Sequence, residues 1–284
     1  MSAIAQPTTV PLRRPTRPRQ ASALLTLARR RASLTSRTPR QVAVPLLGPV
    51  LLALVVAPAL KVATGGLHSP IDYTSFVGVG AVGLVVPLSC VFAGLSVLVD
   101  RHSGAQRELL AAPVPRSYLV LGNLVVAIGL AALQVVVLIG LSALRGGVFH
   151  ITADGAAWFA GATLLFTVFI YGVAETLASR VAKQEEYVGA VPAVAILPFF
   201  LAGALYPIGA MPGPLTAAAK VLPLTHALAL MRYGLIDPRG QGLHDIWGMH
   251  NVTLEAWLSL GVVAVFAVAM IAIAIRAFSR SVVS

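Results

Sequence analysis

Six stretches free of Asp, Glu, Lys and Arg, each at least 20 residues long, dominate this chain: 41–60, 75–99, 117–144, 155–174, 187–219 and 256–275. A hydrocarbon layer ~30 Å thick is crossed by a helix of roughly 20 apolar residues, so each run is long enough to span a bilayer. Inside lipid every backbone N–H and C=O must be satisfied by protein, which leaves helices or closed barrels. Barrel strands alternate apolar and polar residues over ~10 positions, and these runs do not alternate. Composition agrees, since 57% of the 284 residues are hydrophobic and 11% are charged, where a soluble domain carries roughly a quarter charged residues. The chain therefore reads as an all-α integral membrane protein. Its six transmembrane helices are expected near 41–62, 75–99, 117–144, 155–178, 187–205 and 254–276.

A net charge of +11 would suit a nucleic-acid binder, but the basic residues are apportioned by loop. Nine of the 21 Lys and Arg residues fall between Arg13 and Arg40. With that segment in the cytosol, Arg101, Arg107, Arg116, Arg180, Lys183, Arg276 and Arg280 also lie inside. Lys61, Arg145, Lys220, Arg232 and Arg239 lie outside, a division of sixteen to five among the 21. Cations are retained where anionic lipid and the membrane potential favour them. The expectation is a multi-pass protein of the cell (plasma or inner) membrane with both termini cytosolic, in contact with membrane lipids and with no nucleic-acid partner.

Residues 1–40 form a basic cytosolic tail, and 41–284 one six-span membrane domain. Within the tail, Ala21, Leu24, Leu25, Leu27 and Ala28 share one helical arc opposite Arg29 and Arg30, while Arg31 falls inside the apolar arc. Both an interfacial helix and a disordered basic tail fit that pattern. The single cysteine, Cys90, lies in a span, so no intrachain disulfide can form.

The last third is less regular. Pro207, Pro212, Pro214 and Pro223 interrupt an apolar stretch that continues to Met231. A seventh span over 215–231 would hold Lys220, Pro223 and His226 within a short crossing and would carry Arg276 and Arg280 outside. Short re-entrant or interfacial helices on the outer side, between spans five and six, fit better, because irregular backbone at membrane depth needs surrounding protein.

Several motifs have simpler explanations. GVGAVG at 78–83 matches the dinucleotide fingerprint, but it sits inside one uncharged membrane segment, where glycine serves close helix packing. No G-x-x-x-x-G-K-[ST] loop occurs, so the chain has no such ATP site of its own and no catalytic residue is assigned. His244, Asp245 and His250 form a loose group that a solvated loop explains, and no metal is assigned. Glu175 is expected at the cytosolic end of the fourth span, held by interfacial water or a pairing cation. Gln134 and Asn123 are expected to bond between helices.

The loop after the second span reads DRHSGAQRELLAAPVPRSYLVLGN over 100–123. It is a charged turn, then a helical run with Ala105, Leu109 and Ala112 on one face, then a Pro113-Val114-Pro115 break. An amphipathic segment joined rigidly to two spans could transmit a partner's movement into the bundle, and a capped surface loop would look the same. The segment resembles the cytosolic loop of type-2 ABC exporter permeases, among them daunorubicin-type drug exporters and nodulation-factor exporters. Asp100, Arg101, Gly104, Arg107, Glu108, Leu110, Ala112, Pro113, Val114, Arg116, Val120, Leu121 and Gly122 match, while His102, Gln106 and Asn123 depart from that family's acid, leucine and lysine. FFLAGALYP at 199–207 and LPLTHALALMR at 222–232 are similar to two further elements of the same family, with His226 in place of an aromatic residue.

The resemblance implies a permease that dimerises, with itself or a paralogue, and binds a separate ABC ATPase subunit carrying ATP and Mg. No cofactor is then expected in this chain. Arg101, Gln106, Arg107, Glu108, Leu109, Leu110 and Pro113 would form the ATPase-coupling loop. Pro207, Pro223, Leu224, Thr225, His226 and Arg232 would form the outer re-entrant element. A hydrophobic or amphipathic cargo, such as a drug, lipid or glycan, would leave the cytosol. A secondary carrier or channel, or a membrane assembly factor without an ATPase, is the competing class.

Overall fold

The computed structural model describes residues 20–63, 72–105, 109, 111 and 114–281. Its elements in chain order begin with α1 (Gln20–Ser36), α2 (Pro39–Leu51), a π turn (Leu52–Val56) and α3 (Ala57–Ala63). Next come α4 (Tyr73–Gly80), α5 (Val82–His102), α6 (Arg116–Leu144) and α7 (Ala153–Arg180). After α8 (Gln184–Gly189) come a second π turn (Pro192–Ile196), α9 (Leu197–Leu201) and a 3-10 turn (Ile208–Ala210). The chain ends in α10 (Gly213–Val221), α11 (Pro223–Leu235), α12 (Gln241–Trp247) and α13 (Val252–Ser281). No strand occurs among the described residues.

Five helical segments are long and apolar enough to cross a membrane: Val42–Val62, Tyr73–His102, Arg116–Leu144, Ala153–Arg180 and Val252–Arg280. The bent pair α10 and α11 brings the number to six if it is taken as one span. The expected fifth span, 187–205, is instead segmented into α8, a turn at Ala190, the π turn and α9. Pro192 and Pro198 explain the irregularity, because each lacks the N–H that an α-ladder would use. The 18 residues from 184 to 201 still reach roughly 27 Å at helical rise. The π turn in the first span lies likewise between Pro49 and Pro58.

The centre of the bundle is α7, which packs on α13, α11, α5 and α6. It buries Phe166, Ile170, Tyr171, Ala174 and Ala178. Large apolar side chains such as Leu47, Val55, Leu133, Val136, Val265 and Val268 remain exposed, as suits helices whose solvent is hydrocarbon. The glycines of GVGAVG are packing residues: a Cβ on Gly80 would strike the Ala204 carbonyl, and one on Gly83 would meet Leu224 at 3.0 Å. Gln134 ties three helices, accepting from Ser89 on α5 and donating to the Val42 carbonyl of α2 at 2.8 Å.

Asp72 caps α4, accepting from the Ser75 N–H at 3.0 Å, and pairs with Lys61 at the end of α3. Burial pushes its carboxyl up, but Lys61 and Ser75 outweigh that and hold it below its ordinary 3.8. A depressed carboxyl stabilises the fold above its unfolded-state pKa, and that contribution fades as pH falls through the folded value. Asp72→Ala is therefore expected to cost about 1 kcal/mol near neutrality, mostly from the lost cap, since the Lys61 side chain is 45% exposed and its pairing is screened by solvent. Melting of the detergent-solubilised protein at a series of pH values checks this. The gap between wild type and variant should narrow on acidification.

Candidate functional site

At one end of the bundle, side chains flanking the 100–116 loop fasten it to three neighbours, α1, the end of α7 and α13. Arg31 of α1 is nearly buried, and its guanidinium donates to Asp100 at 3.1 Å and to the Ala93 carbonyl at 3.2 Å. This explains a cation inside the apolar arc: Asp100 and the end of α5 supply its acceptors. Arg101 donates to the carbonyls of Ala178 at 3.2 Å and Val181 at 2.5 Å, and His102 donates to Ala182 at 3.1 Å. Those carbonyls end α7, where a helix lacks its own donors and its dipole favours cations. Arg116 donates to the Ser279 carbonyl of α13 at 2.9 Å. Thus α1 and the far end of α13 lie at the same end of the bundle as this loop.

Of the coupling-loop candidates, Gln106, Arg107, Glu108, Leu110 and Pro113 lie outside the described residues. Arg101 is engaged with the end of α7, and Leu109, half-buried, faces a small cleft with Leu27, Leu119 and Phe278. Both hold the loop against the bundle. Beneath them Glu175 is fully buried, which corrects the interfacial placement expected for it. The Tyr171 hydroxyl sits 3.0 Å from Glu175 Oε2 and 3.2 Å from the Val120 carbonyl, and Glu175 Oε1 has no partner among the described residues. Sequence position alone suggested water there. Packing of α5, α6 and α7 around that turn removes it.

At the opposite end the chain folds back on itself. Helices α10 and α11 meet at 83°, with extended Leu222 at the break and Pro223 starting the second helix. The N–H-free ring of proline is harmless at a helix start. His226 secures the corner: its Nε2 donates to the Lys220 carbonyl at 2.9 Å across the break, and its Nδ1 lies 3.2 Å from Ser259 Oγ on α13. Trp247 of α12 donates to that same hydroxyl at 2.8 Å. With Nε2 protonated, Nδ1 accepts from Ser259, which accepts from Trp247, so each proton has one destination. Leu224 packs in the core, and Pro207, Thr225 and Arg232 line one cavity.

Arg232 is the strongest feature of this end. It is nearly buried on α11, donates to the carbonyls of Gly203 at 2.9 Å and Ala204 at 2.8 Å, and lies 3.5 Å over the Phe76 ring. Asp237 and Asp245 line the same cavity; sequence reasoning passed over Asp237 and assigned Asp245 to a solvated loop with His244 and His250. Asp237 is nearly buried and accepts from the Gly242 N–H at 3.1 Å. Burial holds the Asp245 carboxyl above its ordinary 3.8 despite His244 and Lys220 nearby. Their signal was five acidic or basic residues within 232–245, a density foreign to the rest of the apolar last third.

An all-helical bundle with an apolar girth, a charged loop clamped at one end and a helix pair folded back at the other defines a multi-pass integral membrane protein. The family model for ABC-2 type transporters matches residues 22–236, from the tail helix through the folded-back pair. The chain belongs to that family and is a permease component of an ABC transporter. It is a transport component rather than itself a catalyst, and the family works with an ABC ATPase subunit. No curated protein matches the chain in sequence.

Proposed function

We propose that this chain is the membrane subunit of an ATP-driven exporter of the cell membrane, with both ends cytosolic. It forms a dimer with itself or a paralogue, and a separate ABC ATPase docks on the 100–116 loop and binds ATP and Mg. The cargo is hydrophobic or amphipathic. The observation that carries this reading is the clamped loop: the Arg31–Asp100 pair and the Arg101 bonds to the end of α7 link it to α1, α5 and α7. A push on such a loop moves several helix ends together rather than bending a free turn. Cytosolic placement is supported by the sixteen-to-five division of the 21 cations and by the shared end of α1 and α13.

Co-purification tests the reading. An ATPase subunit encoded beside this chain is expected to copurify in about equal amount. Leu110→Asp is expected to insert normally but lose that subunit and transport, since a carboxylate in an apolar contact reverses the ~1.5–3 kcal/mol gained by burying leucine. Leu109 is the wrong position for this test because it packs against the bundle itself. Glu108→Lys should make any remaining association salt-dependent. If Leu110→Asp inserts, keeps its ATPase and still exports, the loop is a surface turn. Transport by the purified chain without any ATPase would favour a secondary carrier.

A further inference from the structure

At the folded-back end of the bundle a cavity of about 150 Å³ opens among α4, α11 and α12. Tyr73, Phe76 and Ile208 contribute its apolar wall, and Thr225, Arg232, Asp237 and Asp245 its polar one. The volume is that of a pocket able to take one benzene-sized group.

The polar wall is short of partners in a particular way. The Arg232 guanidinium donates to three backbone carbonyls, those of Phe76, Gly203 and Ala204, and lies over the Phe76 ring, while its Nε has no partner among the described residues; it is held without a carboxylate pair. Asp237 is engaged by the Gly242 N–H. Asp245 accepts no hydrogen bond and forms no ion pair among the described residues, although Lys220 and His244 are near enough to influence it. Thr225 is 3% exposed, and its hydroxyl has no partner among the described residues. A buried hydroxyl left unpaired costs roughly 1–3 kcal/mol, so its presence beside an open cavity points to a ligand that pairs it. Among the lining side chains two carboxylates stand against one guanidinium, with Lys220 outside the lining, which leaves the wall one negative charge over. An anion would add to that excess. Among the described residues no three metal-ligating side chains converge, and the remaining wall is apolar, so a bare metal ion is poorly served.

We propose that this cavity binds the ammonium end of a small organic monocation, with its ring or chain against Phe76 and Ile208. The ammonium pairs with Asp245 and donates a further N–H to the Thr225 hydroxyl. This site lies within one chain, at the end opposite the clamped loop, and its occupancy does not depend on whether the ligand is cargo.

The test uses the full chain in phosphatidylcholine nanodiscs, with phenethylamine as probe and 2-phenylethanol and hydrocinnamate as its neutral and anionic counterparts. Binding is read by calorimetry at about pH 8, where carboxylates are ionised and an alkylammonium is still charged. Saturable binding of the amine above that of empty discs is expected, with the alcohol weaker by about tenfold or more and the anion weaker still. Asp245→Asn should weaken the amine by about tenfold and leave the alcohol unchanged. Gly242→Leu narrows the cavity without a backbone collision, since a Cβ there meets Ala229 at an ordinary 3.7 Å, and should weaken amine and alcohol alike. The proposal is overturned if the amine merely partitions as it does into empty discs, if alcohol and amine bind equally, or if Asp245→Asn binds the amine as wild type does. Should Asp245→Asn fail to fold, the comparison of amine with alcohol on the wild-type chain still decides.

Discussion

Arg232→Leu is expected to destabilise the protein by on the order of 3 kcal/mol, seen as early melting and aggregation in detergent. After α9 the chain leaves the helical ladder, and the carbonyls of three successive residues take side-chain donors instead. Arg232 serves Gly203 and Ala204, and the Tyr73 hydroxyl serves Leu205 at 3.1 Å. Leucine removes a costly buried charge, which works in its favour, but it orphans two carbonyls at a depth where water does not replace the donor. Each unpaired buried group costs roughly 1–3 kcal/mol, and the stacking on Phe76 is lost as well. The losses exceed the gain. Arg232→Lys should recover less than half of the deficit, because one ammonium cannot reproduce a planar fork on two adjacent carbonyls. Melting equal to wild type in Arg232→Leu would show that the turn finds other donors.

Gly234→Leu is the second large effect, expected at about 2–3 kcal/mol with a matching fall in the yield of folded protein. At this crossing α7 and α11 touch through backbone. A Cβ on Gly234 would collide with the Gly155 carbonyl and meet the Phe159 nitrogen at 3.0 Å, and a Cβ on Gly155 would collide with the Gly234 carbonyl. Neither obstacle is a flexible side-chain tip, so the helices must separate. Separation also disturbs the Thr152 cap on α7, which accepts from the Gly155 N–H at 3.0 Å. Gly161→Ala on the same helix is the control. No atom approaches a Cβ there within 4 Å, and alanine is the better helix former by about 1 kcal/mol. The crossing is not a tight contact if both substitutions melt alike.

The spans were legible because hydrocarbon imposes one requirement, a long uncharged helix, at every position along a run. The folded-back pair was legible for the same reason in reverse: Lys220, Pro223 and His226 cannot share a short lipid-facing crossing. The fifth span was read too simply. An apolar run shows its length, whereas the choice between an α-ladder and a π turn around Pro192 and Pro198 depends on local hydrogen bonding. Arg31 and Glu175 show the limit most clearly. Helical periodicity placed Arg31 on an apolar face without an explanation, because its acceptor, Asp100, is 69 residues away. Glu175 was assigned to the interface from its position along one helix, yet its burial comes from helices on either side.

The amino-acid sequence by itself determined the solvent, the helical class, the orientation bias of the basic loops and the motifs that resemble ABC permeases. Each rests on local composition or spacing, which a single chain displays in order. Tertiary structure alone decided which polar groups meet: Arg31 with Asp100, Arg101 with the end of α7, Arg232 with the turn after α9. It also decided that Asp245 and Thr225 share a cavity while their side chains lack hydrogen-bond partners among the described residues. These are contacts between distant segments in a medium of low dielectric, where pairing or its absence outweighs the intrinsic preference of either residue.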